Sequence, residues 1–263
     1  MREHGKASDS ELPTVSRRGF LGGAGALAGG LAATGLVGGA SPAGAEVCGL
    51  EWGPRVDLTG LKENFAPQEV KQFTIPAGGI DHLGLHSTDV FTIPGMGEFS
   101  VDFSGYFRVA RAHPSTFDWA AAEVRVNIVD LRLFGRNEAL GEIAVRLNPD
   151  ILSSGQIFAT KPREDGNSVA EEPKACRIAT AAVFELRKLG LSVFNKEPIL
   201  LMNEHITRVP PVDDPSGHAL LFRLPLYNLQ DPKGEPVAYL TSLRYGADHY
   251  LTEGEVRTIK ERS

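Results

Sequence analysis

The stretch Gly78-Gly79-Ile80-Asp81-His82-Leu83-Gly84-Leu85-His86-Ser87-Thr88-Asp89 gathers two histidines, two carboxylates and the Ser87 hydroxyl within a dozen residues. These are the residue types of nucleophilic hydrolysis. His86 would serve as general base, Asp81 or Asp89 as the carboxylate that orients it, and Ser87 as nucleophile. On an extended strand His82 and His86 share one face about 13 Å apart, too far for a single metal ion, whereas a turn at Gly84 would converge them. His82 and His86 are therefore the only metal candidates, and neither a metal nor a cofactor is expected. The simplest alternative is a pair of histidines hydrogen-bonded on a loop at one end of a β domain.

A second cluster, Asp213-Asp214-Pro215-Ser216-Gly217-His218, has the order of a triad. Neighbours this close in a turn do not adopt triad geometry, which is defined in space, so Asp and Ser capping their own backbone is the expected state. The mature chain holds no Gly-x-Ser-x-Gly elbow, P-loop, HExxH or EF-hand loop, and Gly95-Met96-Gly97 reaches Ser100 where a dinucleotide fingerprint needs a third glycine.

The elements that must position these residues read as strands. Phe99, Val101, Phe103, Phe107 and Val109 share one parity between Glu98 and Arg111, with Glu98, Ser100, Asp102, Ser104 and Arg108 on the other. From Glu123 to Phe134 the apolar parity slips from even (Val124, Val126, Ile128) to odd (Val129, Leu131, Leu133), which predicts a β-bulge near Ile128. Ile143 to Leu147 reads as a return strand. Lys161 to Lys174 reads as an exposed loop, and Ile178 to Leu189 suits strands better than a helix. Ile199 to Val209 is a further strand, ended by Pro210-Pro211. Leu220 to Leu226 and Val237 to Tyr245 predict a hairpin, with Pro225 marking an edge strand. Leu251 to Ser263 is expected to fray or form a short helix. Strands between Gly/Pro/Asp turns predict a mainly β, antiparallel sandwich or barrel-like single domain over residues 46–263.

Residues 1–45 read as a removable twin-arginine signal: Ser16-Arg17-Arg18-Gly19-Phe20-Leu21, an uncharged Gly/Ala stretch, and a cleavage site at Ala43-Gly44-Ala45. The twin-arginine export machinery is thus an expected partner, the expected location is outside the cell, and the Gly/Ala stretch is too weakly apolar for a stable membrane anchor. The chain has 27 Lys and Arg against 33 Asp and Glu, with no basic run, so nucleic acid is not an expected partner. Its two cysteines, Cys48 and Cys176, are an even pair in an exported chain and predict a disulfide, which over such a loop would be worth roughly 4–5 kcal/mol.

The opening Gly49-Leu50-Glu51-Trp52-Gly53-Pro54, the core Thr92-Ile93-Pro94-Gly95-Met96-Gly97 running into Phe99 to Val109, and Asn195-Lys196-Glu197-Pro198 resemble small secreted actinomycete proteins similar to the cholesterol esterases that lack the lipase elbow. The resemblance implies a carboxylic ester hydrolase acting on sterol fatty acid esters, with a lipid or sterol ester as substrate; it assigns no nucleophile. Such an enzyme needs an apolar cleft and an oxyanion-stabilising pair of donors, which the loops at Gly78-Gly79 or Gly95-Met96-Gly97 would supply. The alternative reading is a secreted, non-catalytic β-sandwich module that binds a lipid or a protein partner. A metal-dependent enzyme using His82 and His86 is the third.

Overall fold

A computed structural model of the chain describes residues 55–72, 75–116, 122–159, 174–214 and 217–262. All of them lie in one compact unit, Gly44–Ser263. Fourteen strands follow in chain order: β1 (Glu63–Asn64), β2 (Gly79–Ile93), β3 (Gly97–Arg111), β4 (Ser115–Thr116), β5 (Ala122–Asn137), β6 (Gly141–Leu147), β7 (Ser154–Ala159), β8 (Lys174–Thr180), β9 (Ala182–Leu186), β10 (Leu191–Asn195), β11 (Ile199–Ile206), β12 (His218–Leu220), β13 (Leu224–Asn228) and β14 (Ala238–Tyr250). A 3₁₀ turn at Arg187–Leu189 ends on Gly190 in the left-handed region, and helix α1 (Glu253–Glu261) closes the described chain. The structure is thus a single-domain, mainly β fold, and the strand assignment of Ile178 to Leu189 holds through Leu186.

Four long strands carry the architecture. β14, β2, β3 and β5 lie side by side, and each outer member is long enough to hold two shorter partners. Along β5, residues 132–137 pair with β6 and residues 123–127 with β7; along β14, residues 238–240 pair with β13 and residues 244–245 with β12. One half of the wall closes through β6-β9-β10-β13 and the other through β7-β8-β11-β12. The β14–β2 pairing completes both circuits, so the sheet is barrel-like and these long strands have no free edge.

Alternation decides what lies inside. On β3, Val101, Phe103, Phe107 and Val109 are buried, as their shared parity predicts. The parity slip in β5 is a bulge: Arg108 pairs with Asp130 but Val109 with Ile128, leaving Val129 as the extra residue. Leu220 and Leu226 belong to different strands, because residues 221–223 carry the chain from β12 to β13. Pro225 is not on a sheet edge, since β13 lies between β10 and β14. It is tolerated because β10 ends at Asn195 opposite Leu226, so at Pro225 the strand has a neighbour on one side only.

Gly105 shows how closely β3 and β5 approach. A Cβ built there would lie 2.0 Å from the Arg132 carbonyl oxygen. Backbone cannot yield as a side-chain tip can, so Gly105→Ala is expected to cost about 3 kcal/mol or more, read as a drop in denaturant midpoint. A near-neutral Gly105→Ala would contradict that approach.

The C-terminal tail is a short helix, held by a capping box in which Thr252 Oγ1 accepts from the Glu255 amide and Glu255 accepts from the Thr252 amide. Val256 and Leu251 cover Tyr106 on the outer face of β3, with Phe65 and Ile259 beside them. Cys176 is a buried free thiol on β8, pushed up to about 12 by burial; its expected partner, Cys48, lies outside the described residues. The predicted loop at Lys161 to Lys174 also lies outside them, except that Lys174 begins β8 and is buried.

Candidate functional site

The residues from Gly79 to Asp89 form most of β2, a continuous strand rather than a loop or turn. The pleat therefore separates the predicted catalytic set. Asp81, Leu83, Leu85, Ser87, Asp89, Phe91 and Ile93 are buried on the inner parity, while His82, Gly84, His86 and Thr88 take the other.

His86 is exposed on the outer face. Directly across β14 stands Gly246, where a Cβ would meet the imidazole at 2.9 Å, so the missing side chain leaves room for the ring to lie over β14. Its Nδ1 pairs there with the Asp248 carboxylate. His82 is buried under Phe65, whose ring stacks on it at 4.1 Å, and its Nε2 lies 2.7 Å from Glu63 Oε2. Burial raises the Glu63 pKa, but Arg108 and His82 outweigh it and hold the carboxyl below its usual range. The two histidines thus serve separate carboxylates and do not converge. Among the described residues no group of three or more His, Cys, Asp or Glu is placed to hold a metal.

Asp81 orients no histidine. It takes Arg111 side-on, with Nε to Oδ2 at 3.0 Å and Nη2 to Oδ1 at 3.3 Å, and accepts from Asn64 at 2.8 Å and the Tyr250 hydroxyl at 2.9 Å. Arg111 also donates to the Pro76 and Ala77 carbonyls. One carboxylate therefore ties β1, β2, β3 and β14 together.

Ser87 and Asp89 are the two predicted residues that do meet. The Ser87 hydroxyl donates to Asp89 Oδ1 inside the barrel. Burial pushes Asp89 up to about 7, opposed by the Ser87 hydrogen bond. Both line an interior cavity of about 50 Å³, together with Leu85, Leu131, Leu133 and Leu243. At about 10–15 Å³ per water-sized group, it has room for about four. A second cavity, about 30 Å³, is lined by Asp81, Arg111, Cys176 and Ile178; Phe107 and Tyr245 line both.

Across the strands Ser87 faces Tyr245 on β14, and Tyr245 faces His218 on β12. The His218 ring stacks on Tyr245 at 4.7 Å, and burial holds the imidazole down to about 4 against the opposing pull of Asp214. Two strand spacings, about 10 Å, separate Ser87 from His218, so they form no Ser–His pair. Asp213 adopts a left-handed φ of 52° and Asp214 accepts from the Thr207 amide at 2.9 Å, while Ser216 lies outside the described residues. The glycine loops do not serve Ser87 either. Gly79 and Gly95 are each eight residues away along or beyond the same strand, about 26 Å.

The sequence motifs did not single out Thr180 and Tyr245. Both line the cavity of about 50 Å³, and Thr180 Oγ1 and Tyr245 Oη are buried without a hydrogen-bond partner among the described residues. The available signal was a pair of polar residues interrupting an apolar inward row, as Ser87 and Asp89 do between Leu85 and Phe91.

Among solved structures, DynF from the dynemicin biosynthesis pathway of Micromonospora chersina is similar over 77% of this chain and 95% of its own, with 40% sequence identity and a TM-score of 0.68. No curated protein matches. Residues 43–257 match the model of DUF6073, described as a family of unknown function, and the chain belongs to that family.

Proposed function

We propose that this protein is an exported binding module that holds a small apolar molecule inside its barrel without transforming it. The observation that carries this reading is the interior cavity: a closed β wall surrounds a space lined by leucine, isoleucine, valine and phenylalanine with a few polar groups, the usual make-up of a small-molecule site. The Arg17-Arg18 signal supports export.

The sterol-ester hydrolase reading implied by the resemblance needs a nucleophile with a base beside it. The four candidates supply a serine held by a carboxyl inside the wall and a histidine outside it. A cavity of about 50 Å³ is also narrow for a fused ring system.

Ala182 lines the cavity and is buried, so Ala182→Leu fills it without changing the outer surface. Butane-saturated buffer is expected to raise the Tm of the folded chain by about 2 °C or more, because a ligand that binds only the native state stabilises it. Ala182→Leu should abolish the rise. If neither butane, xenon nor 1-propanol shifts the Tm, the binding reading is lost.

A further inference from the structure

Resting on the reading of the barrel as a binding site, we infer that its occupant carries an alcohol hydroxyl, seated where Ser87, Asp89 and Thr180 line the apolar cavity. Three features of the cavity wall lead there.

Among the described residues Thr180 Oγ1 is buried with no hydrogen-bond partner, and so is Tyr245 Oη. Each is a hydroxyl able to donate and to accept, and an unmatched buried polar group is a standing cost that a ligand atom would remove. The third feature is Asp89, a carboxyl almost wholly removed from water whose one side-chain donor among the described residues is Ser87.

The chemistry of the wall narrows the ligand's polar group. A hydroxyl accepts from Thr180 or Tyr245 and donates to Asp89, so a single group answers both needs. An ether oxygen accepts but has nothing to give Asp89. A carboxylate would set a second acid beside Asp89 in a medium of low dielectric, where like charges repel strongly. An ammonium would lose its hydration for a cavity that is otherwise apolar, with one carboxyl held near neutrality to receive it. The rest of the lining, Leu85, Leu131, Leu133 and Leu243 among it, accepts only an apolar body.

The test is a calorimetric titration of the folded chain with four three-carbon compounds: 1-propanol, ethyl methyl ether, propanoate and propylamine. 1-Propanol should bind about tenfold more tightly than the isomeric ether, the effect of about one good buried hydrogen bond, and more tightly than either ion. Asp89→Leu, which removes the acceptor that only the alcohol uses, should bring 1-propanol to the level of the ether while ether binding persists, which also shows the variant folded. Thr180→Val or Tyr245→Phe should weaken alcohol and ether alike, since both accept from the hydroxyl removed. Equal affinity for alcohol and ether, or tightest binding of propanoate or propylamine, overturns the hydroxyl inference and leaves the apolar binding site standing. Absence of binding by all four overturns the binding reading itself, and this inference with it.

Discussion

Arg111→Met is expected to lower stability by about 3–5 kcal/mol, the largest loss we anticipate from a single side chain here. Asp81 and Arg111 are both almost fully buried, and the pair is bidentate. A buried ion pair adds little over a well-packed apolar pair, but removing one partner strands the other charge in a low dielectric. Here the stranded group would be the Asp81 carboxylate, with only Asn64 and Tyr250 left to donate to it. The Pro76 and Ala77 carbonyls would also lose their donor, loosening the chain that enters β2. Urea midpoints decide the matter. The double variant Asp81→Asn with Arg111→Met should recover about half of the loss, because it removes the stranded charge. If the double variant is as unstable as the sum of the two single ones, the pair is not coupled and the account fails.

Asp89→Asn, by contrast, is expected to stabilise the protein by about 3 kcal/mol at pH 8 and to destabilise it by about 1 kcal/mol at pH 4. Burial raises the Asp89 pKa from 3.8 to about 7, so the native state holds its proton more tightly than the unfolded chain does. The associated stability is fully present below about pH 4 and is lost as pH rises to about 7; some three pKa units correspond to about 4 kcal/mol, less about 1 kcal/mol for the extra N–H donor of the amide.

His218 acts in the opposite sense over nearly the same range. Burial lowers its pKa from 6.5 to about 4, so its contribution is present above about pH 6.5 and is lost as pH falls toward 4. The two slopes oppose each other in the native protein, whose stability should vary little between pH 4 and 7. Asp89→Asn exposes the histidine's slope: the variant should lose about 3 kcal/mol on acidification from pH 7 to 4. Urea unfolding across that range checks both statements, and an Asp89→Asn variant less stable than the native protein at pH 8 would refute the buried charge.

Much of the fold was legible because it is local. The parity of Phe99 to Val109, the slip beside Ile128, the extended reading of Val183 to Leu186 and the helical tail after Leu251 each depend on the spacing of residues a few positions apart, and each appears in the structure. Pro225 misled because proline reports a missing amide partner, and that partner was missing where β10 ends rather than at the rim of the sheet.

The candidate site was less legible. The sequence by itself placed the chemically able residues between Asp81 and Asp89; that His86 and Ser87 fall on opposite faces follows only once the segment is a strand. The sequence could not show that the segment is one uninterrupted strand, because Gly84 and Gly79 permit a turn as readily as a close crossing. Only the tertiary structure decided which face is the inside, since that depends on β14 returning to β2 and closing the wall. Closure turned Ser87 and Asp89 into a buried polar pair in an apolar cavity, sent His86 to Asp248, gave Asp81 to Arg111, and brought Thr180 and Tyr245 to the same cavity from strands about a hundred residues or more away in the chain. Pairing between distant strands depends on register, bulges and the closing of the barrel, and no short stretch of sequence contains that information.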